Sequence, residues 1–289
     1  MDFVNIQSAS NPLLKRVRSL SSRSGRNKTG LFLAEGESVL EEALNTPDLQ
    51  VVDLIVAFKY GDGDKNKLTR MLENSRAKLL CDKVVIVEDR LFEELSTTES
   101  PTGLLAVLKT KEYELESVLS KKNCLLTLAY EVNDPGNLGT MFRTSRAFGA
   151  DAMLLSKGSV DPYNPKVVRA AAGALFSLPF ISGVDGQWLL EEARDRKIKT
   201  LALDADGRQS IQETDLTGPV ILVMGNEARG LPESMVEGSQ ARVKIPMEPS
   251  TESLNLSIAH AITLFEAYKQ RSSGSNLDRI NAGEKKASE

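Results

Sequence analysis

Three short stretches in the second half of the chain hold residue types that could do chemistry together. The first reads Asn133-Asp134-Pro135-Gly136-Asn137-Leu138-Gly139-Thr140, followed by Met141-Phe142-Arg143. Gly136 and Gly139 permit close backbone approach, and Asn137 is placed to cap a helix whose first turns carry Arg143. Asn137 and Arg143 fall within two helical turns, so both can serve one end of a sheet. The second stretch, Met224-Gly225-Asn226-Glu227-Ala228-Arg229-Gly230-Leu231-Pro232, sets a carboxylate and a guanidinium between two glycines. Such a loop can wrap a ligand with main-chain groups while the turn fixes Glu227. The third runs Ile245-Pro246-Met247-Glu248-Pro249-Ser250-Thr251-Glu252-Ser253-Leu254-Asn255-Leu256-Ser257. Here Ile245, Met247 and Leu254 would enclose a flat ring, while Ser253 and Asn255 offer a hydroxyl and an amide at a helix start. Singly, each has a plain structural explanation: a helix cap with a surface arginine, a charged strand-to-helix turn, a serine N-cap. Their agreement matters more than any one of them.

Each stretch follows a segment that reads as a β-strand, and the carboxyl ends of strands are where an α/β sheet places its ligands. Strands are expected at 125–130, 152–156, 200–203, 220–224 and 243–245, with helices at 138–148, 165–176, 188–197 and from 254 to about 269. The run Val220-Ile221-Leu222-Val223-Met224 is apolar throughout, as a strand covered on both faces must be. The first half alternates in the same way. Strands are expected at 31–33, 51–57, 84–87 and 104–108, and helices at 37–44, 65–74 and near Phe92. This organisation gives a basic N-terminal arm or helix (1–28), a smaller α/β domain (29–108), a polar linker (109–122), a second α/β domain (123–271) and a disordered tail (272–289).

With 289 residues, both halves can bury a core of their own. No apolar run reaches the ~18 residues of a membrane span. The start of the chain lacks the pattern of a secretory signal, and Cys81 and Cys124 form neither a disulfide framework nor a zinc pattern, so a cytoplasmic protein without a metal is expected. The net charge of −4 argues mildly against a nucleic-acid partner, yet no acidic residue occurs between Phe3 and Ala34. There Lys15, Arg16, Arg18, Arg23, Arg26 and Lys28 suit phosphate contact, with a solvated arm as the plainer reading. The one histidine, His260, falls inside the last expected helix and reads as packing or solvent-facing.

In order and spacing, the three stretches resemble the motifs of the SpoU (TrmH-like) family of RNA 2′-O-ribose methyltransferases, within the SPOUT superfamily. Asn137 and Arg143 match the first motif, Glu227 within Gly-Asn-Glu the second, and Ser253 with Asn255 the third. The segment beginning Phe32-Leu33-Ala34-Glu35-Gly36 resembles, more loosely, the substrate-binding domain that many members carry N-terminally. The resemblance implies an α/β-knot fold, in which a mainly parallel sheet with helices on both faces is threaded as a deep trefoil knot. It further implies a homodimer with its site near the subunit interface. S-adenosyl-L-methionine is the implied cofactor, bound by Leu203, Met224, Gly225, Asn226, Gly230, Ile245, Pro246, Met247, Ser253 and Leu254. Asn137, Arg143, Glu227, Ser253 and Asn255 are the implied catalytic residues, and RNA the partner, ribosomal RNA favoured over transfer RNA. One position departs from the pattern: Pro249 stands where relatives usually have glycine, so that turn must take another shape.

A guanidinium gives up its proton reluctantly, with a pKa above ~12, so Arg143 is a poor general base. It is better suited to grip a phosphate and stabilise a developing alkoxide while the proton leaves to a phosphate oxygen or water. Transfer-RNA methylation and a catalytically silent RNA-binding role in ribosome assembly are the competing readings. A dinucleotide enzyme is disfavoured because the glycine fingerprint and its ribose-binding acid are missing.

Overall fold

The computed structural model describes residues 2–63 and 83–272. Cys81, the helix expected over 65–74 and residues 273–289 of the expected tail lie outside the described residues. The chain divides into two compact units, Met1–Glu112 with Asp161–Ser177, and Tyr113–Val160 with Leu178–Glu289. Asp161–Ser177 thus groups with the first unit, although the sequence reading has it inside the second domain.

The first unit is built on a five-stranded sheet of β1 (Asp2–Ile6), β2 (Leu31–Glu35), β3 (Val51–Ala57), β4 (Lys83–Val87) and β5 (Leu104–Lys109), in the order β1-β4-β3-β5-β2. β4 runs parallel to both β1 and β3, while β5 is antiparallel to β3 and β2. The stretch expected over 1–28 as a basic arm or helix supplies the helices Pro12–Ser19 and Arg23–Thr29 and also the edge strand β1. The three-residue spacing of Leu14, Val17 and Leu20 puts all three on one face, packed with Leu33, Ile55 and Val85 in the core. Asn11 caps the first of these helices by accepting from the Leu13 amide at 2.9 Å, and Pro12 occupies its first position.

This packing corrects one expected RNA contact. Arg26 is only 3% exposed. Its Nε and Nη2 donate to Asp161 at 2.8 and 2.5 Å, and its Nη1 donates to the carbonyls of Leu20 and Ser21. A guanidinium so buried, with four of its five donors committed, holds the fold together and is not offered to a phosphate. Arg16 pairs with Asp53 and Arg18 with Glu94, whereas Lys15, Arg23 and Lys28 are exposed.

Aromatic packing explains why Asp161–Ser177 belongs here. The Phe32 ring lies 4.5 Å from that of Tyr163 and 6.2 Å from that of Phe176. The single helix expected over 165–176 is two short ones, Pro165–Ala170 and Ala174–Ser177. The break falls at Ala172 and Gly173, with φ of 47° and 85°, values that no continuous right-handed helix allows.

Among the described residues the second unit carries seven strands: β6 (Leu125–Ala129), β7 (Ala152–Ser156), β8 (Phe180–Val184), β9 (Lys199–Leu203), β10 (Gln209–Ser210), β11 (Val220–Met224) and β12 (Ala241–Lys244). Their order is β10-β12-β9-β11-β6-β7-β8, and every pairing is parallel. Alternate residues face opposite layers, as the strand period of two requires. Leu126, Leu128, Ile221 and Val223 share one core with Leu189 and Leu190 of the helix Gly186–Asp195. Leu125, Leu222 and Val243 share the other with Leu264 and Ala267 of the last helix, Leu256–Ser272. The edge strand β8 is absent from the sequence reading because Phe-Ile-Ser-Gly-Val has neither a continuous apolar run nor a strict alternation. The expected linker is also more than a tether, since it forms a helix, Leu115–Leu119, that buries Val118 and Leu119 in the first of these cores.

Candidate active site

β11 and β6 are parallel neighbours at the centre of the second sheet, so the chain leaving each strand emerges at the same edge. After β6, Asp134 rather than Asn137 caps the helix Pro135–Ala147, accepting from the Asn137 amide at 2.7 Å. Pro135 fits the first helical position, so the helix starts three residues earlier than expected. The Asn137 side chain is thereby free for other partners.

After β11, the loop folds back on itself. The Asn226 amide donates to the Gly230 carbonyl at 3.0 Å and the Gly230 amide returns a bond to Asn226 at 2.9 Å. The Asn226 side chain is nearly buried and stiffens the turn, its Oδ1 accepting from the Ala228 and Arg229 amides and its Nδ2 donating to the Glu131 carbonyl at 2.7 Å. Gly230 takes a φ of 65°, which a glycine adopts without strain.

This closed loop presents Glu227 to the helix after β6. Glu227 accepts from the backbone amides of Asn133 and Asp134, at 3.3 and 3.0 Å, and from Asn137 Nδ2 at 3.3 Å. Burial raises the carboxyl's pKa, but the amides of Glu227, Asp134 and Asn133 and the Asn137 carboxamide outweigh it and hold it below the usual carboxylate range. Glu227 is therefore a fixed, ionised acceptor and a weak base. The third stretch closes the chain of contacts, with Asn255 Nδ2 donating to Asn137 Oδ1 at 3.0 Å. Asn255 also caps the last helix, its Oδ1 accepting from the Ser257 and Ile258 amides. Ser253, the N-cap that the sequence offers, stays exposed two residues upstream.

A cavity of about 430 Å³ opens beside this network, a size suited to a small-molecule ligand. Of the residues assigned to the cofactor, Leu203, Met224, Gly225, Asn226, Gly230, Ile245, Met247, Ser253 and Leu254 line it, and so does Glu227. Pro246 does not. Neighbours in an extended segment point to opposite sides, and it is Val243, Ile245 and Met247 that face inward. Arg229 and Leu231 of the second stretch line it too, as do Asp204 and Ala205, which none of the three stretches contains. The position of Asp204 just after β9 is the signal that could have found it. Pro249 sits second in a turn closed by the Thr251 amide donating to Glu248 at 2.9 Å, a place where its fixed φ is favourable and its missing donor costs nothing.

Arg143 is not brought into the cavity. It lies on the helix Pro135–Ala147, exposed, and makes no hydrogen bond or ion pair among the described residues. Its neighbour Thr144 bonds His260 instead, Oγ1 to Nδ1 at 3.0 Å, while Nε2 of that ring meets Thr127 Oγ1 at 3.0 Å. His260, fully buried, thus ties the last helix both to the Arg143 helix and to β6, the packing role rather than the solvent-facing one.

Desolvation pushes the imidazole down to about 3 from its ordinary 6.5. The unfolded chain takes up this proton below pH 6.5 and the folded chain does not, so the stabilisation is complete above pH 6.5 and lost as pH falls toward 3. From pH 7 to pH 5 the unfolding free energy should drop by about 2 kcal/mol, at ~1.4 kcal/mol per pH unit. Urea denaturation at both pH values checks this. A His260→Gln protein with the same pH slope would count against His260 as the source.

A parallel sheet whose strand ends hold a ligand-sized cavity, walled by three sequence-distant loops locked through Glu227, Asn137 and Asn255, defines an α/β enzyme of the ligand-at-strand-ends type. Comparison with known proteins narrows the class. The sequence model of the SpoU rRNA Methylase family matches residues 125–265, and that of the MRM3-like substrate binding domain matches residues 11–106. The 23S rRNA (guanosine(2553)-2′-O)-methyltransferase of Bacillus subtilis is 30% identical over 260 residues, covering 90% of this chain and 97% of that protein. A crystal structure of an AdoMet-bound rRNA methyltransferase from Sinorhizobium meliloti superimposes with a TM-score of 0.77 at 25% identity, covering 92% of this chain and 98% of that one. The SpoU methyltransferase from Streptomyces viridochromogenes, in complex with AdoMet, gives 0.77 at 27% identity, covering 91% and 99%. The chain belongs to the SpoU rRNA methylase family.

Proposed function

We propose that this protein transfers a methyl group from S-adenosylmethionine to a ribose 2′-hydroxyl of ribosomal RNA. The observation that carries the reading is the convergence of Glu227, Asn137 and Asn255 beside a cavity lined by both apolar and polar residues. Those groups fit an adenosine-bearing ligand: Ile245, Met247 and Leu254 offer apolar faces, and the Gly225 backbone lies close against the far side of its own loop. Relatives named as 23S rRNA 2′-O-methyltransferases and AdoMet-bound structural neighbours support the same choice.

S-adenosylmethionine supplies an electrophilic methyl group on a sulfonium. The chain's own residues do the rest. Glu227, Asn137 and Asn255 form a rigid frame that fixes the three loops relative to one another, so that a ribose held at the cavity mouth keeps its geometry. Arg143, unpaired and exposed, grips an RNA phosphate and stabilises negative charge developing on the ribose oxygen; the proton leaves to a phosphate oxygen or to water. Exposed Lys15, Arg23 and Lys28 extend the RNA contact.

A homodimer belongs to this reading. Ile258, Ile262 and Phe265 leave an apolar stripe exposed along the last helix, with the four- and three-residue spacing of a packing face. Trefoil threading of the second unit and a cytoplasmic setting belong to it too. Among the described residues no group of His, Cys, Asp or Glu could hold a metal ion, and no helix is long and apolar enough to cross a membrane.

Two measurements test the proposal. Calorimetric titration should show S-adenosylmethionine binding to the purified protein. Mapping 2′-O-methylation in total RNA from cells with and without the gene should show a ribosomal RNA site that disappears with it. Failure to bind the methyl donor would leave an RNA-binding protein without this activity, and a lost mark in transfer RNA would move the substrate.

A further inference from the structure

We infer that Asp204 is an electrostatic selector that favours the sulfonium methyl donor over the thioether product, so that transfer itself loosens what remains in the cavity. The inference rests on the proposed cofactor. Asp204 follows β9, which pairs in parallel with β11, so it stands at the same sheet edge as Met224 and Gly225 and lines the cavity with them. Its side chain is 21% exposed and firmly held. Oδ1 accepts from the Asp206 amide at 2.9 Å and lies 3.0 Å from Arg242 Nη2, while Oδ2 has no hydrogen bond among the described residues.

The other charged groups lining the cavity are committed elsewhere. Both oxygens of Glu227 take bonds from the loop after β6, and Arg229 Nη2 donates to Glu131 at 2.8 Å. Arg242 is shared between Asp204 and the 86% exposed Asp206, so these three groups together carry one net negative charge. In the transfer the carbon–sulfur bond breaks with its electron pair left on sulfur, the oxygen–carbon bond forms, and the hydroxyl proton departs. S-adenosylmethionine and S-adenosylhomocysteine therefore differ by one methyl group and one positive charge. A carboxylate in the wall of a partly desolvated cavity acts on a charge held in that cavity far more strongly than it would in water.

The test is calorimetric binding of both compounds to the full chain. Asp204→Asn keeps the shape and the Oδ1 acceptor but removes the charge. S-adenosylmethionine should weaken about tenfold and S-adenosylhomocysteine by less than about twofold. Arg242→Gln unmasks the carboxylate and should shift the preference the opposite way, by roughly threefold, which keeps the inference testable if the first variant folds poorly. Asp206→Asn, whose side chain is 86% exposed and outside the cavity, should move the ratio by less than about twofold because water screens its charge. Equal weakening of both compounds, or no change in either variant, overturns the role of Asp204. If the unaltered protein binds neither compound, it is the methyl-donor reading that fails.

Discussion

Arg143→Lys is expected to leave S-adenosylmethionine affinity within about twofold and to cut methyl transfer by about 10²- to 10³-fold, the loss typical of removing one donor aimed at transition-state charge. The two halves of this expectation have separate origins. Affinity holds because Arg143 does not line the cavity and makes no hydrogen bond or ion pair with a residue that does. Turnover falls because lysine keeps the charge but not the planar fork that can grip a phosphate with two parallel bonds while a third donor faces the ribose oxygen. No structural partner is lost, since Arg143 makes no hydrogen bond or ion pair among the described residues, so thermal stability should stay within about 0.5 kcal/mol. Transfer of a labelled methyl group to ribosomal RNA, read beside calorimetric binding, measures both. Near-normal turnover would remove Arg143 from the chemistry.

Gly225→Ala should abolish donor binding, weakening it by more than about 100-fold, and should lower stability by about 1–3 kcal/mol. A Cβ at this position would lie 2.4 Å from the Gly230 carbonyl carbon and 2.6 Å from the Leu231 nitrogen. Both are backbone atoms, so no side-chain rotation relieves the clash. The strained loop must open, breaking the paired Asn226–Gly230 bonds and withdrawing Glu227 from Asn137. Gly230→Ala provides the contrast: nothing lies within 4 Å of its Cβ and only the left-handed φ of 65° is strained, so it should cost about 1 kcal/mol and weaken binding far less. Equal binding by the Gly225→Ala and unaltered proteins would show that this loop does not shape the cavity.

Both expectations draw on features visible in the sequence and on others that were not. The types and order of residues in the three stretches pointed to the site before any fold was known. Val220 to Met224 is apolar without a break, as a strand buried on both faces has to be, and forms β11 over those five residues. Local chemistry of this kind is legible because a strand's period and a glycine's freedom act over a few residues. It fails where local signals compete. Asp134, Asn137, Ser253 and Asn255 are all acceptable helix caps, and only the closed structure shows that Asp134 and Asn255 take that place while Asn137 bridges Glu227 to Asn255.

By itself the sequence determined a two-part α/β chain, the central parallel strands and most of the cavity wall. It misjudged or left undecided residues whose roles depend on a partner far along the chain. Arg26 read as a phosphate contact until Asp161, 135 residues away, buried it. His260 read as packing or solvent-facing, and only Thr127 and Thr144, meeting the two sides of its ring, decide for packing. Asp204 passed unremarked because one carboxylate after a strand becomes significant only when β9 and β11 bring it to the cavity. The physical reason is common to all three. Residue type and spacing fix what a group can donate, accept or bury, but which donor meets which acceptor, and which charge is cut off from water, is settled by long-range closure of the chain.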